Sequence, residues 1–174
     1  MEVRKIKLEE IKQVMEAIND AKAFLKPQSQ QWQQGYPNVE TMTKDILNNN
    51  LFGVFINGEL ACVAALIIGI EKTYVNMIEG EWEIPVSSKD LVIQRIAVRE
   101  KFRGRGCAKS LMEFAEKYAK TNSCPSIKVD THRANIPMQR LVLSHGYIYQ
   151  GIIDLNRNEE DQLRLAYEKI ISKI

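Results

Sequence analysis

Polar and apolar positions alternate through Glu2-Val3-Arg4-Lys5-Ile6, which predicts a short strand. From Leu8 the apolar residues Leu8, Ile11, Met15, Ile18, Ala21 and Leu25 recur at helical spacing, until Pro27 stops the run. Gln28 to Pro37 follows neither period. Asn38 can cap a second helix with Met42, Ile46 and Leu47 on its inner face. Two apolar runs between Leu51 and Ile68 meet at Asn57-Gly58, the strongest short signal for a two-residue hairpin turn. A weaker strand covers Thr73 to Ile78, before a polar connection through Pro85 and Ser88. Leu91 to Val98 reads as a mostly apolar strand, and the turn Arg99 to Gly106 is basic and glycine-bearing. The next helix shows Ala108, Leu111, Met112, Ala115 and Ala119 on one face. A strand at Ile127 to Thr131 and a helix at Asn135 to His145 come next, with Gly146 as the C-terminal glycine. Tyr147 to Ile153 and Leu163 to Ile170 are the last strands, around a polar loop carrying Asp154, Glu159, Glu160 and Asp161. There is no internal repeat and no dividing linker. The pattern predicts one α/β (α+β) domain over residues 1–174.

Composition narrows the function. A chain of 174 residues can bury a core without metal or disulfide staples. With 24 basic and 22 acidic residues the net charge is +2, too little for a broad nucleic-acid-binding face, so any electrostatic site is local. The three cysteines, Cys62, Cys107 and Cys124, form neither a disulfide framework nor a zinc pattern. Two histidines without ligand spacing predict no metal site, and His132 reads as a loop histidine. His145 reads as a cation at a helix C-terminus. The N-terminus has no apolar signal core, and the longest apolar stretch, Leu60 to Ile68, is too short to span a bilayer. A cytoplasmic protein with reduced thiols and no membrane association is expected.

The chemistry concentrates in Arg95 to Ser110. Five basic residues (Arg99, Lys101, Arg103, Arg105, Lys109) stand with one acid, Glu100, where a strand enters a turn and then a helix. Unpaired amides and the dipole make such a helix start an anion site. Gly104 and Gly106 permit close approach and positive φ. A nucleoside-triphosphate loop would need glycines at positions 103 and 108, which are Arg and Ala. The dinucleotide fingerprint begins at Gly104 and Gly106 and fails at Lys109. Arg103-Gly104-Arg105-Gly106-Cys107-Ala108 instead fits Gln or Arg, two free positions, Gly, one free position, then Gly or Ala.

Placed after Ile93-Gln94-Arg95-Ile96-Ala97-Val98, that turn resembles the coenzyme A loop of the GNAT superfamily of acyl-CoA N-acyltransferases. A second stretch, Asn135 to Tyr147, resembles the family's Asn-plus-helix motif before an aromatic, and the order of elements agrees from end to end. The resemblance implies a mixed, mostly antiparallel twisted sheet of about six to seven strands with flanking helices. It implies that acetyl-CoA lies against Ile96, Ala97, Val98, Arg103, Gly104, Arg105, Gly106, Cys107, Ala108 and Asn135. The activity implied is acetyl transfer to the primary amine of a small molecule, directly in a ternary complex.

Catalytic roles are less well marked. Where many members carry a Tyr that protonates the leaving thiolate, this chain has Val142, so the general acid is unassigned. Family precedent for the base points to Glu81 or Glu83, which share one face if the segment is extended; a solvated acidic turn is the alternative. Trp32 and Tyr36 fall where the family builds its acceptor wall, and an aromatic anchor for the loop is the alternative there. Cys107 occupies a helix start, where the dipole lowers a thiol pKa, yet it reads as the small variable residue of the turn. The rival function is an acyl-CoA-binding sensor or scaffold without chemistry, which Val142 favours. A homodimer is left open.

Overall fold

The computed structural model describes residues 1–157 and 161–172. Glu159 and Glu160 of the expected polar loop lie outside the described residues. The elements are β1 (Glu2–Lys5), α1 (Ile11–Leu25), α2 (Val39–Leu47), β2 (Leu51–Ile56), β3 (Glu59–Ile68), β4 (Met77–Gly80), β5 (Leu91–Val98), α3 (Cys107–Thr121), β6 (Ser126–Thr131), α4 (Ile136–Ser144), β7 (Ile148–Asp154) and β8 (Leu163–Ile170). Among the described residues eight strands form one sheet, in the order β1-β2-β3-β5-β6-β8-β7-β4. The sequence reading expects six to seven. The additional one is β4, a four-residue strand paired to β7, displaced from the Thr73–Ile78 expected. Lys72–Tyr74 instead forms a 3-10 turn capped by the Glu71 carboxylate. β5 and β6 run parallel, whereas β1–β2, β2–β3, β6–β8, β7–β8 and β4–β7 are antiparallel.

The chain divides into two compact units, Met1–Leu66 with Gln94–Ala115, and Ile67–Ile93 with Glu116–Ile174. In the first, α1 buries Val14, Ala17, Ile18, Ala21 and Leu25, each large apolar side chain contributing about 1.5–3 kcal/mol. Leu8 is excluded from this face because a 3-10 turn, Leu8–Glu10, precedes the helix. β2 and β3 are buried on both faces, which is why they read as continuous apolar runs. Their turn has the residues that two positive φ values require, Asn57 at 50° and Gly58 at 78°. Asn38 caps α2 as expected, its Oδ1 accepting from the Thr41 amide at 2.9 Å. The inner face of α2 differs: Leu47 is 64% exposed and Asp45 is buried. At 100° per residue Asp45 shares a face with Met42 and Ile46, whereas Leu47 points away.

In the second unit a cluster of Tyr74, Trp82, Val92, Ile153 and Ala166 forms a core. Beside it lies a buried ionic group. Lys128, on β6, meets Asp90 at 3.0 Å and its cross-strand partner Glu168 at 3.6 Å, all three almost wholly inaccessible. α4 ends in a Schellman motif, with Tyr147 N–H bonded to Val142 C=O and Gly146 N–H to Leu143 C=O. Two side chains meet carbonyls at this helix end: His145 Nδ1 lies 2.9 Å from the Leu141 carbonyl, where a C-terminal histidine is expected, and Lys169 Nζ donates to the His145 carbonyl at 2.7 Å.

Candidate active site

The turn between β5 and α3 is built as its glycines require. Gly104 and Gly106 have φ of 74° and 80°, and a Cβ on either would meet no atom within 4 Å. Both backbone positions are therefore open on the side that a side chain would occupy. The α3 ladder begins with Ser110 N–H to Gly106 C=O at 3.0 Å, which leaves the amides of Cys107, Ala108 and Lys109 ahead of it. This geometry can receive an anion on backbone donors.

The five basic residues divide into two sets. Arg99 is committed to Glu16 at 2.8 Å and Glu59 at 3.0 Å, and Lys101 also pairs with Glu59. Arg103 donates to the Asp20 carbonyl at 3.0 Å and stacks 4.3 Å from the Phe24 ring, while Asp20 Oδ2 accepts from the Glu100 amide at 2.9 Å. These contacts brace the turn against α1. Arg105 and Lys109 are exposed, Arg105 5.5 Å from the Phe102 ring and Lys109 4.0 Å from the Glu113 carboxylate. Cys107 is buried, and burial pushes its thiol above the ordinary value despite nearby Arg105. The expected lowering by the helix dipole is thus overturned by desolvation.

The same unit holds Trp32 and Tyr36, both half-buried on the loop between α1 and α2. The loop glutamines are structural ties: Gln33 Nε2 donates to the Lys22 carbonyl at 3.0 Å and Gln28 Nε2 to the Phe24 carbonyl at 2.9 Å. Tyr36 accepts a hydrogen bond from Arg95 Nη1 at 2.9 Å. The other two nitrogens of that guanidinium fork onto Asp45, 2.7 Å to each oxygen. Arg95 and Asp45 escape a sequence reading. The available signals are a polar pair, Gln94-Arg95, inside an apolar strand, and one charge on the apolar face of α2.

In the second unit, Glu81 and Glu83 are both exposed and lie outside any strand. Trp82 between them is buried, its Nε1 donating to the Tyr74 carbonyl at 2.9 Å. The Glu168 carboxylate clamps the backbone, accepting from Glu83 N–H at 3.0 Å and Ile84 N–H at 3.1 Å. Asn135 caps α4 through Oδ1, at 3.2 Å from the Met138 amide. Ile136 follows it, and Val142 is buried on the same helix. Tyr147 is also buried; its hydroxyl has no partner among the described residues, and burial raises its pKa. His132 lies just past β6, outside any helix or strand, as expected of a loop histidine. It is buried, its Nδ1 accepts from the Ala134 amide at 3.0 Å, and Nε2 therefore carries the proton toward Asp161 at 2.6 Å.

Residues 12–147 match the Acetyltransferase (GNAT) family, and the chain belongs to that family. A GNAT-family acetyltransferase from Streptococcus agalactiae is 34% identical, with 99% of this chain and 96% of that one covered and a TM-score of 0.86. The streptothricin acetyltransferase of Escherichia coli is 35% identical over 74 residues, so the match spans 42% of each chain. PaiA N-acetyltransferase of Thermoplasma acidophilum, in complex with coenzyme A, has the same fold at 14% identity, with 97% and 98% covered and a TM-score of 0.71. No helix among the described residues is long and apolar enough to cross a membrane.

Proposed function

We propose that the protein transfers an acetyl group from acetyl-CoA to the primary amine of a small molecule, directly and without an acetyl-cysteine intermediate. The observation that carries this reading is the turn at Gly104 and Gly106, with open backbone ahead of α3 and two exposed cations beside it. A pyrophosphate suits such a site because three unpaired amides and a helix dipole act on it together. Acetyl-CoA supplies the activated acetyl group. Ile96, Ala97 and Val98 offer strand backbone to its pantetheine arm, Arg103 to Ala108 hold its phosphates, and Asn135 presents its amide nitrogen. A small-molecule acceptor is favoured by the partial likeness to streptothricin acetyltransferase.

An amine of pKa about 10 must lose a proton to attack a thioester, so a base or a water relay is required. Glu81 and Glu83 are assigned that role: their side chains reach solvent while Glu168 and Trp82 fix the backbone between and after them. Their charge favours a neutral or basic acceptor over an acidic one. Trp32 and Tyr36, in the first unit, are assigned to acceptor binding. Val142 has no proton to give, and a thiolate of ordinary pKa leaves without one. Burial of Cys107 and its raised pKa argue against a covalent step on that thiol. The test is thiol release from acetyl-CoA over a panel of polyamines, amino sugars, amino-acid amines and peptide N-termini. Turnover with a small amine is expected; turnover with peptides alone would overturn the acceptor class, and none at all would favour the sensor.

A further inference from the structure

We infer that Arg95 is a positioning residue that joins the cofactor strand to the acceptor loop, so that acetyl-CoA on β5 orders residues 28–37. The inference rests on the acetyl-CoA reading above. Arg95 has φ of 54° in the middle of a strand, a conformation that a residue with a long side chain holds only when its surroundings dictate it. Adjacent strand residues normally face opposite ways, yet Arg95 Nη1 donates to Gln94 Oε1 at 2.8 Å. The two side chains therefore leave the strand on one side, as at a bulge. From there the guanidinium grips both oxygens of Asp45 on α2 and the hydroxyl of Tyr36 on the loop. The ion pair is nearly dry, with 11% and 8% of the two side chains exposed.

Stability does not account for this arrangement, because a buried ion pair seldom outperforms apolar side chains of similar volume. Fixed geometry does account for it. Arg95, with its positive φ, immediately precedes Ile96, Ala97 and Val98, the residues assigned to the pantetheine arm. A ligand drawn along those residues bears on this strained position, and the guanidinium passes that constraint to Tyr36. The loop has a second tether, Gln33 to the Lys22 carbonyl, that does not involve Arg95. It supplies the control.

The experiment is backbone hydrogen exchange over residues 28–37, with and without acetyl-CoA, in the wild type, Tyr36→Phe and Gln33→Ala. Arg95→Ala is avoided because it strands a buried carboxylate and threatens the fold. Acetyl-CoA should slow wild-type loop exchange about fivefold, a usual size for coupling between sites. Tyr36→Phe should still bind acetyl-CoA by calorimetry, weakened by no more than about fivefold as reciprocal coupling requires, and lose the slowing. Gln33→Ala should exchange faster in both states and keep the ratio, which distinguishes coupling from a merely looser loop. Slowing retained in Tyr36→Phe, or absent from a wild type that binds, overturns the proposal alone. A flat wild-type isotherm overturns the cofactor reading with it.

Discussion

The turn from Arg103 to Ala108 and the segment from Glu81 to Ile84 present opposite designs. In the turn the backbone is the proposed functional part: two glycines at positive φ and a helix start leave amides open, and the side chains mostly brace them. In the acidic segment the side chains are the assigned functional part and the backbone is what has to be braced. The brace comes from Glu168, 85 residues along the chain from Glu83, inside a buried group with Lys128 and Asp90. A backbone site can be specified locally. A side-chain site on a coil segment has to be secured from a distance.

The largest effect that tests this contrast is in the remote brace. Glu168→Ala removes a fully buried charge, frees two amides and leaves Lys128 with Asp90 as its carboxylate partner beside the Ser126 hydroxyl. It should destabilise the fold by about 3–5 kcal/mol, read by urea unfolding, and a loss under about 1 kcal/mol would show that the segment needs no such support. Next is the paired change Glu81→Gln with Glu83→Gln. It should cut kcat/KM about a hundredfold, as loss of a general base does. Stability should hold within about 0.5 kcal/mol, because both residues are exposed. Activity unchanged would remove both from the mechanism.

Gly106→Val should weaken acetyl-CoA binding about tenfold while costing about 1–3 kcal/mol of stability, since a β-branched residue is strained at φ near 80°. Equal affinity would mean that the open backbone is not the site. The smallest effect is expected at Cys107. Cys107→Ala should leave kcat within about twofold, as a reaction without a covalent cysteine step requires. Alkylation of the wild-type thiol at pH 8 should be slow, because burial shields it and raises its pKa. Acetylated Cys107 accumulating at the rate of turnover would reverse that conclusion.

What was legible in the sequence follows the same division. The Asn57-Gly58 turn, the Asn38 cap, the bounds of β5 and β8, and the glycine turn all depend on neighbours within a few residues, and each is found where the pattern puts it. β4 was misplaced because four residues at a sheet edge carry too short a period, and its pairing with β7 is set by residues far along the chain. Asp45 was passed over in favour of Leu47 because hydropathy alone ranks leucine inward, and only the Arg95 guanidinium makes a buried carboxylate tenable. His132 is the loop residue the sequence indicates, but its burial is not legible there, because its partner Asp161 is 29 positions away. Charge counting around the turn also misled in part, since Arg99 and Lys101 are neutralised by Glu16 and Glu59, residues that lie outside the turn itself.

A pyrophosphate site for acetyl-CoA in the glycine turn before α3 is tested by calorimetric titration of the wild-type protein with acetyl-CoA, beside ATP and NAD. Saturable one-to-one binding of acetyl-CoA, with little heat from either nucleotide, is the predicted result. Clear binding of ATP or NAD with none of acetyl-CoA would contradict it.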